Sequence, residues 1–423
     1  MNSSKNNTPF ILSGSIIVIC IALTIFMAFG GNGITGNIKN KLKSAGSKEN
    51  ENTKLKDTKE DSEKNGTNDK NSEKDPAHKD NFKNPEILSI INNMSDEQKA
   101  AQLFILPIDD LTGVYGTTLA KETTKNAIKN LPVGGLFYEF QNIVNKEQVK
   151  ELLSTTDKYS KETVGLSTLK IIKDYGGTAS PITGNPNFKS SILPEPNELS
   201  NAGKEECEDT AKKISLSLSE LGFDLNLAPS GVLSNDEYSF GTNSSDVSAR
   251  IAAFNKGLSD NGITGVFTDF PGNGEPSHLE NTVKTSDLDI NSLMADELLP
   301  YTDNLKSIKV IMFNELAYPE ITSSNMPSFM SEKMVTDILR KDLKYNNLVI
   351  SPKLKSESLS KNFSDEDMSV MAIIAGCDMI YAPKDYKNAY NAVLSSINSG
   401  RISKKRLDES LYRIISFKKS LES

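Results

Sequence analysis

Residues 131–173 read LPVGGLFYEFQNIVNKEQVKELLSTTDKYSKETVGLSTLKIIK: an apolar run, an amphipathic stretch of helical period, and a second apolar run. The two runs, 135–140 (GLFYEF) and 169–173 (LKIIK), carry apolar residues at both parities, as strands buried on both faces do. A helix is predicted over 146–159 between them, and strand, helix and strand together make the unit from which parallel sheets are built. The same alternation continues outward in both directions. Further runs lie at 103–108 (LFILPI), 223–228 (FDLNLA), 265–270 (GVFTDF), 309–314 (KVIMFN), 348–351 (LVIS) and 378–382 (DMIYA). Helices are predicted after them, among them 204–221 ending at Gly222, 247–261 ending at Gly262, and 331–343. A closing helix starts near Ser403, a suitable N-cap after Gly400. Eight such units over residues 85–423 predict an α/β fold of the (β/α)8 TIM barrel type.

The remainder of the chain cannot join that core. Residues 10–29, FILSGSIIVICIALTIFMAF, form an uncharged apolar stretch of the length that crosses a bilayer as a helix. Residues 1–30 are therefore expected to be an uncleaved membrane anchor, with the C-terminal part outside the cytoplasm at the cell membrane; the alternative is a signal peptide cleaved at the small-x-small site of Ala28 and Gly30. Residues 31–84 hold twelve lysines against ten acids and no aromatic residue before Phe82, so they bury too little apolar surface to offset chain entropy. They are expected to be a disordered tether. A net charge of −8 argues against a nucleic-acid partner, which needs excess Lys and Arg to displace counterions from phosphates. Cys207 and Cys377, far apart in sequence, read as two buried thiols rather than a disulfide. With two histidines, His78 and His278, no zinc site is expected, and no cofactor.

Barrels of this kind place chemistry at the C-terminal ends of the strands. Those positions are Asp109 and Asp110, Glu139, Lys173 to Tyr175, Ser230, Asp269, Asn314 and Glu315, Ser351 to Lys353, and Pro383. Several carboxylates converge there. Glycoside hydrolysis asks for a proton donor and a carboxylate, about 5–5.5 Å apart for a nucleophile or about 6.5–9.5 Å for a base that activates water.

At these strand ends the sequence resembles the β-N-acetylhexosaminidase branch of family-three glycoside hydrolases, the single-barrel type that trims N-acetylglucosamine from cell-wall fragments. The likeness rests on the order and spacing of MSDEQKAAQLF (94–104), LPVGGLFYEFQNIVNKEQVKEL (131–152), LGFDLNLAPSGVL (221–233), SFG (239–241), FPGNG (270–274), PSFMSEKMVTDILRKDL (327–343), AGCDMIYAP (375–383) and SGRISKKRLDESLYRIISFK (399–418). The resemblance implies a nucleophilic Asp at the end of the seventh strand, where this chain has Ser351 and Pro352. Proline offers no carboxylate to form a glycosyl ester. The Lys-His pair that grips sugar hydroxyls in such relatives is here Thr268 and Asp269. Their sugar-holding Asp at the third strand is Lys173, the Arg before SFG is Tyr238, and the His at the end of the sixth strand is Asn314. The loop after the fifth strand, GNGEPSH (272–278), keeps His278 of an Asp-Ser-His acid/base element; Pro276 falls where the Asp would be, and Glu275 is the candidate to orient the imidazole.

Loss of the nucleophile and of most sugar ligands removes transition-state stabilisation. The leading expectation is a barrel that no longer hydrolyses glycosides and acts as a binding module for a cell-wall glycan or an envelope protein. The alternative is an active O-glycosyl hydrolase with a relocated carboxylate pair, Asp269 and Glu315, backed by Asp174 and Glu357. Asp174, Asn314 and Tyr238 are the candidate substrate-binding residues. A third reading makes the barrel an envelope spacer, since fold does not fix function.

Overall fold

The computed structural model describes residues 82–188, 192–274 and 282–422. The predicted anchor and tether lie outside them, apart from the last tether residues 82–84. Among the described residues no helix is long and apolar enough to cross a membrane.

Eight parallel strands close into a barrel in chain order: β1 (Phe104–Pro107), β2 (Gly135–Phe137), β3 (Leu169–Ile172), β4 (Leu225–Asn226), β5 (Thr264–Phe270), β6 (Val310–Phe313), β7 (Leu348–Lys353) and β8 (Met379–Tyr381). Each lies within or across one of the expected runs. β4 is shorter than its apolar run of 223–228, although Leu227 N–H still bonds Ile172 O at 2.8 Å. β8 pairs with β1 through Phe104 opposite Ile380, which leaves no free edge within the barrel. The strand side chains fill the interior. Gly135 shows how tightly: a Cβ there would stand 3.0 Å from Ile171 Cδ1 and 3.1 Å from Ile105 Cγ1.

Local signals set the helix ends. Ser95 and Gln98 form a reciprocal capping box, with Gln98 N–H on Ser95 Oγ at 3.2 Å and Ser95 N–H on Gln98 Oε1 at 3.0 Å. Helix Lys204–Leu221 stops at Gly222, whose φ of 95° suits glycine. Helix Ser244–Ser259 begins before the expected 247 because Asn243 Oδ1 caps the N–H of Asp246 at 3.0 Å. Lys333–Asp342 is helical where expected but wider than an α-helix, and its last bonds run five residues back, as from Leu343 N–H to Ile338 O.

Helix Lys404–Glu422 lies across the N-terminal ends of the strands. Just before β8, the fully buried Asp378 receives Arg340 Nη2 at 2.7 Å on one oxygen, and Arg413 Nη1 at 3.0 Å, Arg406 Nη2 at 3.1 Å and Ser410 Oγ at 3.0 Å on the other. Further along the helix, the buried Lys418 donates to Gln102 Oε1 at 2.7 Å, and Gln102 Nε2 donates to Pro132 O at 2.7 Å. Ser167, just before β3, bonds Glu422 at 3.1 Å. One helix thus closes the floor beneath β8, β1, β2 and β3. The chain enters on the same side: Asn84 N–H bonds Tyr412 Oη at 3.1 Å, Lys419 pairs with Glu86 at 3.3 Å, and the Phe82 ring lies 4.7 Å from that of Tyr412.

Candidate functional site

The opposite end of the barrel is ringed by the βα loops, and neighbouring loops are tied together by buried polar groups. After β1, Asp109 accepts the N–H of Gly116 at 2.8 Å and of Thr117 at 2.9 Å, with the side-chain amides of Gln141 at 3.1 Å and Asn142 at 2.7 Å. Burial alone would raise its carboxyl, but these four donors outweigh it and hold the group below the ordinary carboxylate range. The residue staples the β1 loop to the β2 loop. Asp110 forms an ion pair with Lys355, and Glu139 pairs with Lys353 at 3.0 Å.

At the end of β3, Lys173 and Asp174 point to different fates. Asp174 is fully buried and accepts Ile182 N–H at 2.9 Å, Thr183 N–H at 2.9 Å and Thr183 Oγ1 at 2.5 Å, while its own N–H donates to Asn226 Oδ1 at 2.8 Å. Burial pushes its carboxyl up despite these donors. Its polar atoms organise the β3 loop and are engaged there by Ile182 and Thr183. Lys173 instead reaches the open mouth, its Nζ 4.2 Å from the centroid of the Tyr238 ring and 5.2 Å from that of Tyr175. Tyr238, a candidate substrate contact, is therefore at the mouth and partly open to solvent.

Asp269 ends the regular part of β5 with φ at 66°, a left-handed conformation that Asp tolerates better than most residues. Its Oδ2 accepts Ser230 Oγ at 2.6 Å and Thr268 Oγ1 at 2.7 Å. Glu315, at the end of β6, is half-buried, and no hydrogen bond joins it to Asp269 among the described residues. Asn314 is buried and saturated: Nδ2 donates to Gly272 O at 2.6 Å and Tyr318 Oη at 2.9 Å, and Oδ1 accepts Ser328 Oγ at 3.0 Å and Leu316 N–H at 3.2 Å. It braces the base of the β5 loop instead of presenting an amide to the mouth. Glu357 is exposed on its own short helix, paired with Lys361 at 2.7 Å. Glu275 and His278 lie outside the described residues.

At the end of β7 the Ser351 hydroxyl is buried, donating to Pro352 O at 2.9 Å and accepting Tyr381 N–H at 2.9 Å. The register between β7 and β8 shifts between Ile350 and Lys353, and Pro352 sits inside that irregularity, where a residue without an N–H is tolerated.

Two acids of this end were not singled out from the sequence. Glu297 is buried beneath the β5 loop, where Oε2 accepts Asn273 N–H at 3.1 Å, and burial raises its carboxyl against the N–H groups of Gly274 and Asn273. It lies in an apolar helical stretch with nothing local to mark it. Glu237 holds the Tyr238 phenol above its ordinary range, and its place directly before Tyr238 was the one available signal.

Comparison with known proteins agrees with this architecture. Residues 96–417 match the glycosyl hydrolase family 3 N terminal domain. A β-hexosaminidase of Idiomarina loihiensis is 25% identical over 293 residues, covering 65% of this chain and 84% of the relative. β-Hexosaminidase A of Pseudoalteromonas piscicida is 23% identical over 344 residues, 72% of this chain but 56% of the relative, so the chain spans little more than half of that protein. Among solved structures, a family 3 β-N-acetylglucosaminidase from a Paenibacillus species superposes with a TM-score of 0.70 at 23% identity, over 78% of this chain and 64% of the other. A β-N-acetylhexosaminidase from Beutenbergia cavernae gives 0.68 at 20% identity, over 77% and 99%. At those identities the structural likeness speaks for the fold alone. The sequence match spans about three quarters of the chain, and the protein belongs to the glycoside hydrolase family 3.

Proposed function

We propose that this family 3 barrel binds a cell-envelope glycan at its mouth without hydrolysing it, carried on a single-pass anchor formed by residues 10–29. The observation that carries the reading is the end of β7. Where the resemblance calls for a nucleophilic carboxylate, the chain has a buried proline and a serine whose hydroxyl is engaged by Pro352 O and Tyr381 N–H. Neither side chain can form the glycosyl ester of a retaining mechanism. The change at β3 supports the same reading, since Lys173 stands where the sugar-holding Asp is expected and Asp174 is occupied within the scaffold.

One feature favours the alternative of a relocated active pair. Asp269 keeps a carboxylate at the mouth in a backbone conformation that side-chain-bearing residues disfavour, and such conformations cluster at working sites. The two readings separate in one experiment. The full-length chain is incubated with a chromogenic N-acetyl-β-glucosaminide and, in parallel, with insoluble peptidoglycan. Retention on peptidoglycan with no turnover above the buffer blank is expected; turnover abolished by both Asp269→Asn and His278→Ala establishes the active hydrolase instead.

A further inference from the structure

Lys173 differs from the other charged groups described around it. Lys353 and Lys355 have carboxylate partners, Glu139 and Asp110, and Asp269 accepts two hydroxyls. The Lys173 ammonium has three N–H donors, and among the described residues none meets a hydrogen-bond acceptor or a carboxylate within ion-pair distance. What holds it is aromatic. The rings of Tyr175 and Tyr238 meet edge to face, with centroids 4.7 Å apart and planes at 80°, and Nζ lies over both. The two rings brace each other through that edge-to-face contact, and Glu237, next to Tyr238 in the chain, lies close enough to hold the Tyr238 phenol above its ordinary range. Lys173 is open to solvent by surface area, yet the protein crowded around it lowers its pKa, while Asp269 and Glu237 act to keep it charged. A flexible side chain has thus been placed before any ligand arrives, which reduces the ordering cost of binding.

We infer that Lys173, Tyr175 and Tyr238 form a receptor for the carboxylate of an acidic saccharide, a hexose bearing a uronic-type acid. This rests on the glycan-binding reading above and narrows it. The chemistry is that of a donor-only cation, with hydrogens to give and no lone pair to accept from a sugar hydroxyl. Sugar hydroxyls can accept from an ammonium, but a carboxylate adds the attraction of a full opposite charge to the hydrogen bond. The tyrosines supply ring edges and faces against which a pyranose packs.

The test titrates the full-length chain calorimetrically with methyl β-glucuronide and with methyl β-glucoside, which differ only at C6. The glucuronide is expected to bind about tenfold or more tightly, with a preference that shrinks at high salt. Lys173→Met should erase the preference, Lys173→Arg should retain it, and Lys355→Met, which alters a cation already paired with Asp110, should leave it intact. Equal affinity for the two sugars overturns the acidic-ligand inference while leaving glycan binding standing, as does a preference that survives Lys173→Met. Binding of neither sugar overturns both.

Discussion

Asp378 and Lys418 lie on the floor of the barrel, far from the mouth, and show how differently two buried charges are treated. Burial would push the Asp378 carboxyl up, but Arg340, Arg413 and Arg406 hold it well below the usual carboxylate range. Replacing it with Ala would leave these guanidinium groups without their shared anion, and we expect a loss of about 3–5 kcal/mol, read as a lower denaturant midpoint. Because its folded pKa is depressed, the stabilisation is fully present above the ordinary carboxylate value of about 3.9 and is lost only in stronger acid. Lys418 has a neutral amide as its hydrogen-bond partner, and burial pulls its ammonium down to about 7. An unfolded lysine titrates near 10.4, so between about 7 and 10.4 the unfolded chain holds more protons than the folded one. Stability should therefore rise with pH across that window, and Lys418→Met should flatten the rise in urea titrations at stepped pH. Position along the strands made the candidate residues legible in the sequence; direction did not. Asp174 and Asn314 were found at strand ends as expected, but only the folded loops reveal that their polar atoms are engaged by Thr183 and by Gly272 and Ser328.

Elements were the most readable level, since double-parity apolar runs and glycine stops report burial and chain reversal directly. The widened helix Lys333–Asp342 had no such signal, because its apolar spacing fits an ordinary helix equally well. Contacts between loops were likewise invisible, being made by residues 32 and 33 positions apart, as between Asp109 and the pair Gln141 and Asn142. Asp109→Ala should release that staple. We expect a modest global cost of about 1–2 kcal/mol, together with a marked local one: faster amide exchange at Gly116 and Thr117, and earlier proteolytic cleavage of the β1 loop, with β1 itself still protected.

At the scale of the barrel, the buried side chains form one continuous core, and we expect its interior to open as a unit. Cys207 and Cys377 are buried and free, and burial pushes their thiols up to about 11 and about 12. Native protein should leave both unreacted with a thiol reagent at neutral pH, and both should appear together at the unfolding transition. Early reaction of one would mean that its part of the barrel opens independently. The floor helix has a further mechanical consequence. The Phe82 ring meets that of Tyr412 at a tilt, and Arg413, which reaches Asp378, lies 5.5 Å from it, so Phe82 docks at the floor end of the barrel, opposite the end that carries Lys173 and Tyr238. Force applied at Phe82 would load the arginine cluster at that end first and reach the tyrosine-lined opening at the other end last.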